Sequence, residues 1–282
     1  MPKIKSFANK IALVTGGSSG IGLATACLLA QQGAHVYLIA SRADRLDGAL
    51  AQLNESCSKA DQHHGVVVAD VADNAAVEEA VAQVVETAGV PDLLVNAAGV
   101  CQPGYVQELD LGLFRWMMDV NYYGTLHVTK ALLPAMIERR SGYIANITSM
   151  AGFVGLFGYT AYAASKFAVR GFTEALRAEM KPHNIGVSLV YPGDTDTPQL
   201  AYEKQFKPVE TQALTSTTSM MTAEAVASEI LKGIQRGQFT ILPGLESKLI
   251  FRVGGLLEDG IHPILDMIVS QAKNKKYRNG SG

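Results

Sequence analysis

Tyr162 and Lys166 stand four residues apart in Tyr162-Ala163-Ala164-Ser165-Lys166, so a helix here carries a phenol and an ammonium on one face. A free phenol has a pKa of about 10 and trades protons slowly near neutrality. Nearby positive charge favours the phenolate and moves the group toward general acid and base work. Ser149 lies thirteen positions before the tyrosine, and Thr15-Gly16-Gly17-Ser18-Ser19-Gly20-Ile21-Gly22 lies near the N-terminus. Together these residues read as a carbonyl-reduction site on a dinucleotide-binding fold. Spacing leaves two alternatives open. Tyr159 shares roughly the same helical face as Tyr162, and Thr148 precedes Ser149, so that either hydroxyl can simply cap the end of a strand.

The glycine-rich turn follows an apolar strand pattern and opens a helix, the context in which such a turn holds a pyrophosphate. Gly16, Ser18, Ser19, Gly20 and Ile21 are the candidates, offering close backbone approach and the free N–H groups of a helix start. After the second strand the sequence is Ile39-Ala40-Ser41-Arg42, without the Asp or Glu that usually holds a ribose 2′-hydroxyl in NAD sites. Arg42 can pair bidentately with a 2′-phosphate while Ser41 donates a hydrogen bond, which favours NADP(H). The competing reading of Arg42 is a solvated residue at a helix start. Asp70 and Val71, after the third strand, are placed to border the adenine, although Asp70 equally suits a helix cap.

Short β-branched runs alternate with stretches of helix length, which predicts βαβ units and an α/β, Rossmann-type parallel sheet of about seven strands with helices on both faces. The strand patterns are 11–14, 34–39, 65–68, 92–95, 142–147, 186–190 and 239–242, and no linker divides them, so one domain spans 1–282. Residues 8–240 form its core. From Thr195 to Met221 the chain is rich in Thr, Gln and Ser and has little periodicity, the pattern of a mobile loop or helical flap over the substrate. Thr195 and Thr197 begin it at the carboxyl edge of the sheet, where open α/β folds bind ligands, and one of them is expected to meet the nicotinamide carboxamide.

A net charge of -2 predicts no general attraction to nucleic acid. Cys27, Cys57 and Cys101 are scattered and odd in number, which suggests neither a disulfide framework nor a metal site and fits a reducing, cytoplasmic setting. The N-terminal residues are too polar and too few before the first strand for a signal peptide. The apolar segment 245–282 carries Glu246, Lys248, Arg252, Glu258, Asp259 and Asp266, so it does not span a bilayer.

Thr15-Gly16-x-x-x-Gly20-x-Gly22, Asn96-Ala97-Ala98-Gly99, Asn121, Ser149, Tyr162-x-x-x-Lys166 and Pro192-Gly193 together resemble the short-chain dehydrogenase/reductase family over roughly residues 8–240. The resemblance implies that Tyr162 protonates a carbonyl oxygen as hydride arrives from the nicotinamide, and that Ser149 hydrogen-bonds the same oxygen. Lys166 would lower the tyrosine pKa and hold the nicotinamide ribose, and Asn121 would anchor a water linking the lysine to solvent. Asn96, Ala97, Gly99, Pro192 and Gly193 would border the cofactor. The stretch 191–198, with Lys207-Pro208-Val209-Glu210-Thr211 and Thr217-Thr218-Ser219, resembles a narrower group, the 3-ketodihydrosphingosine reductases. That implies a long-chain sphingoid ketone as small-molecule substrate. It also gives the C-terminal segment and its tail Lys273-Asn274-Lys275-Lys276-Tyr277-Arg278 a task at a membrane surface, against ordinary packing over the site or another subunit. The family further implies a homodimer or homotetramer, through helices near 113–139 and 162–180.

Overall fold

The computed structural model describes residues 2–216, 219–257 and 260–279, with 272–279 described in backbone alone. Seven parallel strands form one sheet: β1 Ile11–Thr15, β2 His35–Ala40, β3 His64–Val68, β4 Leu93–Asn96, β5 Gly142–Ile147, β6 Ile185–Val190 and, after a separate pair described below, β9 Thr240–Ile241. Their order across the sheet is β3-β2-β1-β4-β5-β6-β9. The order reverses between β1 and β4, and such a switch point opens a crevice at the carboxyl ends of the strands.

Neighbouring residues on one strand serve opposite layers because side chains alternate across the sheet. Val14 and Leu38 pack with Leu29 of α1 (Gly20–Gln31), Leu46 and Leu53 of α2 (Ala43–Glu55), and Ile230 of α9 (Ala223–Arg236). Leu13 and Ile39 pack on the other face with Val81 of α3 (Asn74–Ala88), Val128 of α5 (Gly124–Arg139) and Leu176 of α6 (Thr160–Met180). Burial on both faces explains why these strands read as near-continuous apolar runs.

The helical stretch around 113–139 is interrupted. α4 (Leu111–Met118) passes into a wider π turn at Asp119–Tyr123 before α5 begins. Such bulges frequently mark functional positions, and this one carries Asn121.

The region 195–221 is a helical flap with regular structure of its own. β7 (Thr195–Asp196) pairs in parallel with β8 (Met221–Thr222), and between them lie α7 (Pro198–Glu203) and α8 (Val209–Thr215). Thr197 caps α7 by accepting a hydrogen bond from the Leu200 N–H. Thr217 and Thr218 lie outside the described residues. Periodicity missed both helices because six or seven residues are too few for a clear 3.6-residue pattern.

α10 (Leu245–Leu257) and α11 (Ile261–Asn279) complete the chain. Phe251 of α10 stacks obliquely on Phe153 with centroids 4.5 Å apart and meets Tyr191 edge-on at 5.3 Å. Among the described residues no helix is long and apolar enough to cross a membrane.

Candidate active site

The crevice at the switch point is a cleft of about 690 Å³. Its cofactor end is built by the β1–α1 turn. Gly16 has φ +64°, and a Cβ there would lie 2.7 Å from Ala98, so only glycine lets the two loops meet. Thr15 Oγ1 accepts from the N–H groups of Ala97 and Ala98 at 3.2 Å, fastening the β4 loop to that turn. The Ser19 side chain, at the N-cap of α1, makes no capping bond. First-turn N–H groups of the helix therefore face the cleft without a capping oxygen, the arrangement that receives a phosphate.

Ser18, Ser19, Gly20 and Ile21 line this cleft with Gly16, as do Ser41, Arg42, Asp70, Val71, Ala97, Gly99, Pro192, Gly193, Thr195 and Thr197. Arg42 is exposed at the N-cap of α2, and Arg45 stands half-buried beside it in the same lining. Sequence reasoning missed Arg45; its place one turn into α2 was the available signal. Asp70 does not cap α3. Its carboxylate accepts from the Ala72 N–H at 3.0 Å, and Asp73 supplies the cap.

Asn96 stands elsewhere. Its amide nitrogen donates to Thr129 Oγ1 and Asn146 Oδ1, at 3.1 and 2.8 Å, in the buried layer between sheet and α5. Its own Oδ1 is buried with no hydrogen-bond partner among the described residues. The residue acts on the cleft only through the backbone that leads to Ala97. Asn121, fully buried in the π turn, also lies behind the lining. Its side chain accepts from the Val100 N–H and donates to the Val100 carbonyl and to Ser165 Oγ. Those bonds use both amide hydrogens and one of the two acceptor positions on Oδ1.

Tyr162 and Lys166, one turn apart on α6, are both buried, with the ammonium 5.7 Å from the centre of the phenol ring. The ammonium donates to the Ile147 carbonyl at 3.1 Å. Thr148 and Ser149 both line the cleft: Thr148 Oγ1 donates to the Lys166 carbonyl, whereas half-buried Ser149, whose Oγ also accepts from the Ala151 N–H at 3.2 Å, acts on the Tyr162 phenol. The two phenols separate as well. The Tyr159 hydroxyl donates to Glu203 Oε2 at 3.1 Å, and its ring faces Lys207 rather than Lys166.

The electrostatics differ from the expectation that Lys166 draws the tyrosine pKa down. Burial pushes the Tyr162 phenol well above its ordinary value, with Cys101 and Glu203 acting in the same sense, while Ser149 and Gln199 pull it back through hydrogen bonds. Burial also lowers Lys166 to about 8, against the opposing influence of Cys101 and Glu203. Desolvation penalises both charged forms, and here it outweighs their mutual attraction. The phenol is thus held protonated across the neutral range, as a proton donor must be.

A sheet with this switch point, a phosphate-receiving turn and a tyrosine–lysine–serine group at its mouth defines a nucleotide-dependent oxidoreductase. Residues 10–207 match the short chain dehydrogenase family model, and the chain belongs to that family. It is 39% identical over 250 residues to a Bos taurus protein named 3-ketodihydrosphingosine reductase, covering 88% of this chain and 75% of that one. It is 42% identical over 229 residues to a Danio rerio 3-dehydrosphinganine reductase, covering 81% and 69%. Among solved structures, levodione reductase superposes with a TM-score of 0.78 at 26% identity, covering 86% of this chain and 99% of that one.

Proposed function

We propose that this enzyme uses NADPH to reduce 3-ketodihydrosphingosine, a long-chain amino ketone, to its secondary alcohol. The observation that carries the reading is the convergence of Tyr162, Ser149 and Lys166 on one cleft, in a chain whose relatives carry that substrate in their names. A dinucleotide held along Gly16, Ser18, Ser19, Arg42 and Lys166 would supply hydride for the carbonyl carbon. Tyr162 gives its proton to the carbonyl oxygen, so the ketone gains one hydride and one proton. Ser149 donates a hydrogen bond to the same oxygen and stabilises the charge that develops there. Lys166 holds positive charge beside the phenolate as the proton leaves.

Arg42 and Arg45 support the choice of NADPH: two guanidiniums line the end of the cleft where a 2′-phosphate belongs, and Ser41 adds a hydroxyl. The outward face of the C-terminal helices exposes Leu245, Leu249, Leu256, Ile264 and Met267, an apolar surface suited to meeting the membrane in which such a substrate resides. Exposed Trp116, Tyr123 and Phe167 on the α4–α5 and α6 helices suit contact with a second subunit.

The test compares NADPH oxidation with 3-ketosphinganine and with a 3-oxoacyl thioester, using Tyr162→Phe as the blank. Faster turnover of the amino ketone supports the assignment. Faster turnover of the thioester refutes it and makes this a soluble acyl reductase.

A further inference from the structure

We propose that Glu203 is the residue that selects an amino ketone, by receiving the ammonium on the carbon next to the reacting carbonyl. The inference rests on the amino-ketone reading above and deepens it. Glu203 ends α7, is 6% exposed, and lines the cleft on the side away from the arginines. A buried carboxylate on a substrate wall calls for a counter-charge. Glu203 has three neutral donors, the Gln199 amide on Oε1 at 2.8 Å, the Tyr159 hydroxyl on Oε2 at 3.1 Å and the Cys101 thiol. An ionised carboxylate has about four acceptor positions, so these leave room for a further donor.

The surrounding charges leave that wall negative. Asp194 lines the cleft with Glu203, and the Lys207 ammonium, buried at 3.6 Å from Asp194 Oδ2, acts on both carboxylates. Two carboxylates share one ammonium. Lys166 also feels the Glu203 charge, but its ammonium donates to the Ile147 carbonyl and sits by the Tyr162 ring, and the other neighbours Cys101, Tyr159 and Gln199 are neutral. Burial holds Glu203 above the usual carboxylate range in spite of its hydrogen bonds and Lys207. An arriving ammonium would relieve that penalty.

Position completes the argument. Tyr162 and Glu203 line the same cleft, Tyr159 donates to Glu203, and the Tyr159 and Tyr162 rings lie 5.7 Å apart. A ketone oxygen held by Tyr162 and Ser149 leaves one of its two flanking carbons to face the Gln199–Glu203 side of the same cleft, and we place the ammonium-bearing carbon there. A fatty 3-oxoacyl chain has no cation to place there and would leave the carboxylate unanswered.

The experiment measures kcat/KM for 3-ketosphinganine and for its deaminated analogue, 1-hydroxyoctadecan-3-one, in the wild type, Glu203→Gln and Glu203→Asp. The ratio of the two values is read, which cancels any general loss. In Glu203→Gln the ratio should fall by about 10- to 100-fold, the scale of one charge-assisted hydrogen bond, mainly through KM for the amine. Glu203→Asp should recover part of it. A rise in Tm on adding NADPH reports that each variant is folded. An unchanged ratio in Glu203→Gln, or a wild type that does not prefer the amine over its deaminated analogue, overturns the proposal and leaves the reductase reading intact. A wild type that turns over a 3-oxoacyl thioester faster than both ketones overturns the amino-ketone assignment of the proposed function itself.

Discussion

The Asn121 side chain donates to Ser165 Oγ at 2.8 Å, and Ser165 in turn donates to the Tyr162 carbonyl at 2.7 Å. A residue in the π turn is thereby tied to the backbone at Tyr162. Asn121→Leu should strand the part-buried Val100 N–H and carbonyl, costing about 1–3 kcal/mol for each orphaned group. Denaturant unfolding should show that loss. A variant as stable as the wild type would mean that Asn121 is free to bind solvent instead.

Tyr162→Phe should lower kcat by about 10²–10⁴-fold, the usual worth of a positioned proton donor, while NADPH binding persists. Tyr159→Phe removes a hydroxyl committed to Glu203, so its effect should fall on KM for the amine. Steady-state kinetics of the two variants check the assignment. Equal losses in kcat would sink the distinction between the phenols.

Lys166 titrates at about 8 in the folded chain, against 10.5 for an ordinary lysine. Between those values the unfolded chain binds more protons, so stability gains from this group as pH rises. The penalty of burying the ammonium is full below pH 8 and fades toward 10.5. Lys166→Met should therefore raise Tm at pH 7 by at least about 3 °C, on the usual scale for a domain this size, and lose that advantage near pH 10. Reduction by the wild type should decline as pH climbs through about 8. Calorimetry across the range tests the first expectation, and a pH–rate profile the second.

Arg42→Ala should weaken NADPH by about 10- to 100-fold, with little change for NADH, as expected for one charged hydrogen-bonding group. Since Arg45 lines the same end of the cleft, Arg42→Ala with Arg45→Ala should bring the two cofactors near parity. Equal losses for NADPH and NADH in the single variant would remove the 2′-phosphate from the argument.

The strands were legible in the sequence because those inside the sheet are buried on both faces and all are short β-branched or apolar runs bounded by turn residues. Their patterns agree with the structure to within a residue or two. The family and its oxidoreductase chemistry were legible for a different reason: glycine turn, serine, tyrosine and lysine occur at local spacings that survive without knowledge of the fold. Asn96 and Glu203 were not. Asn96 belongs to a glycine-bearing loop motif that suggests ligand contact, yet alternation along β4 turns its side chain into the layer beneath. Glu203 lies on a six-residue helix, and its meaning depends on Tyr159, forty-four positions earlier. Lys207 and Thr211, which carried the narrower resemblance, serve the flap: Thr211 Oγ1 donates to the Phe157 carbonyl, and Lys207 braces Asp194. The raised phenol pKa was hidden too, since burial is a property of the assembled site.

β7 and β8 meet through only two residue pairs, Thr195 with Met221 and Asp196 with Thr222, so the flap leaves and rejoins the body of the enzyme at almost one point. A stretch whose ends already touch can change length at small expense, about 0.6 kcal/mol for each doubling. None of the seven principal strands is threaded through it. Residues 197–220 are in that sense a cassette: the machinery that delivers hydride and proton can stay fixed while the molecule is refitted for a different ketone.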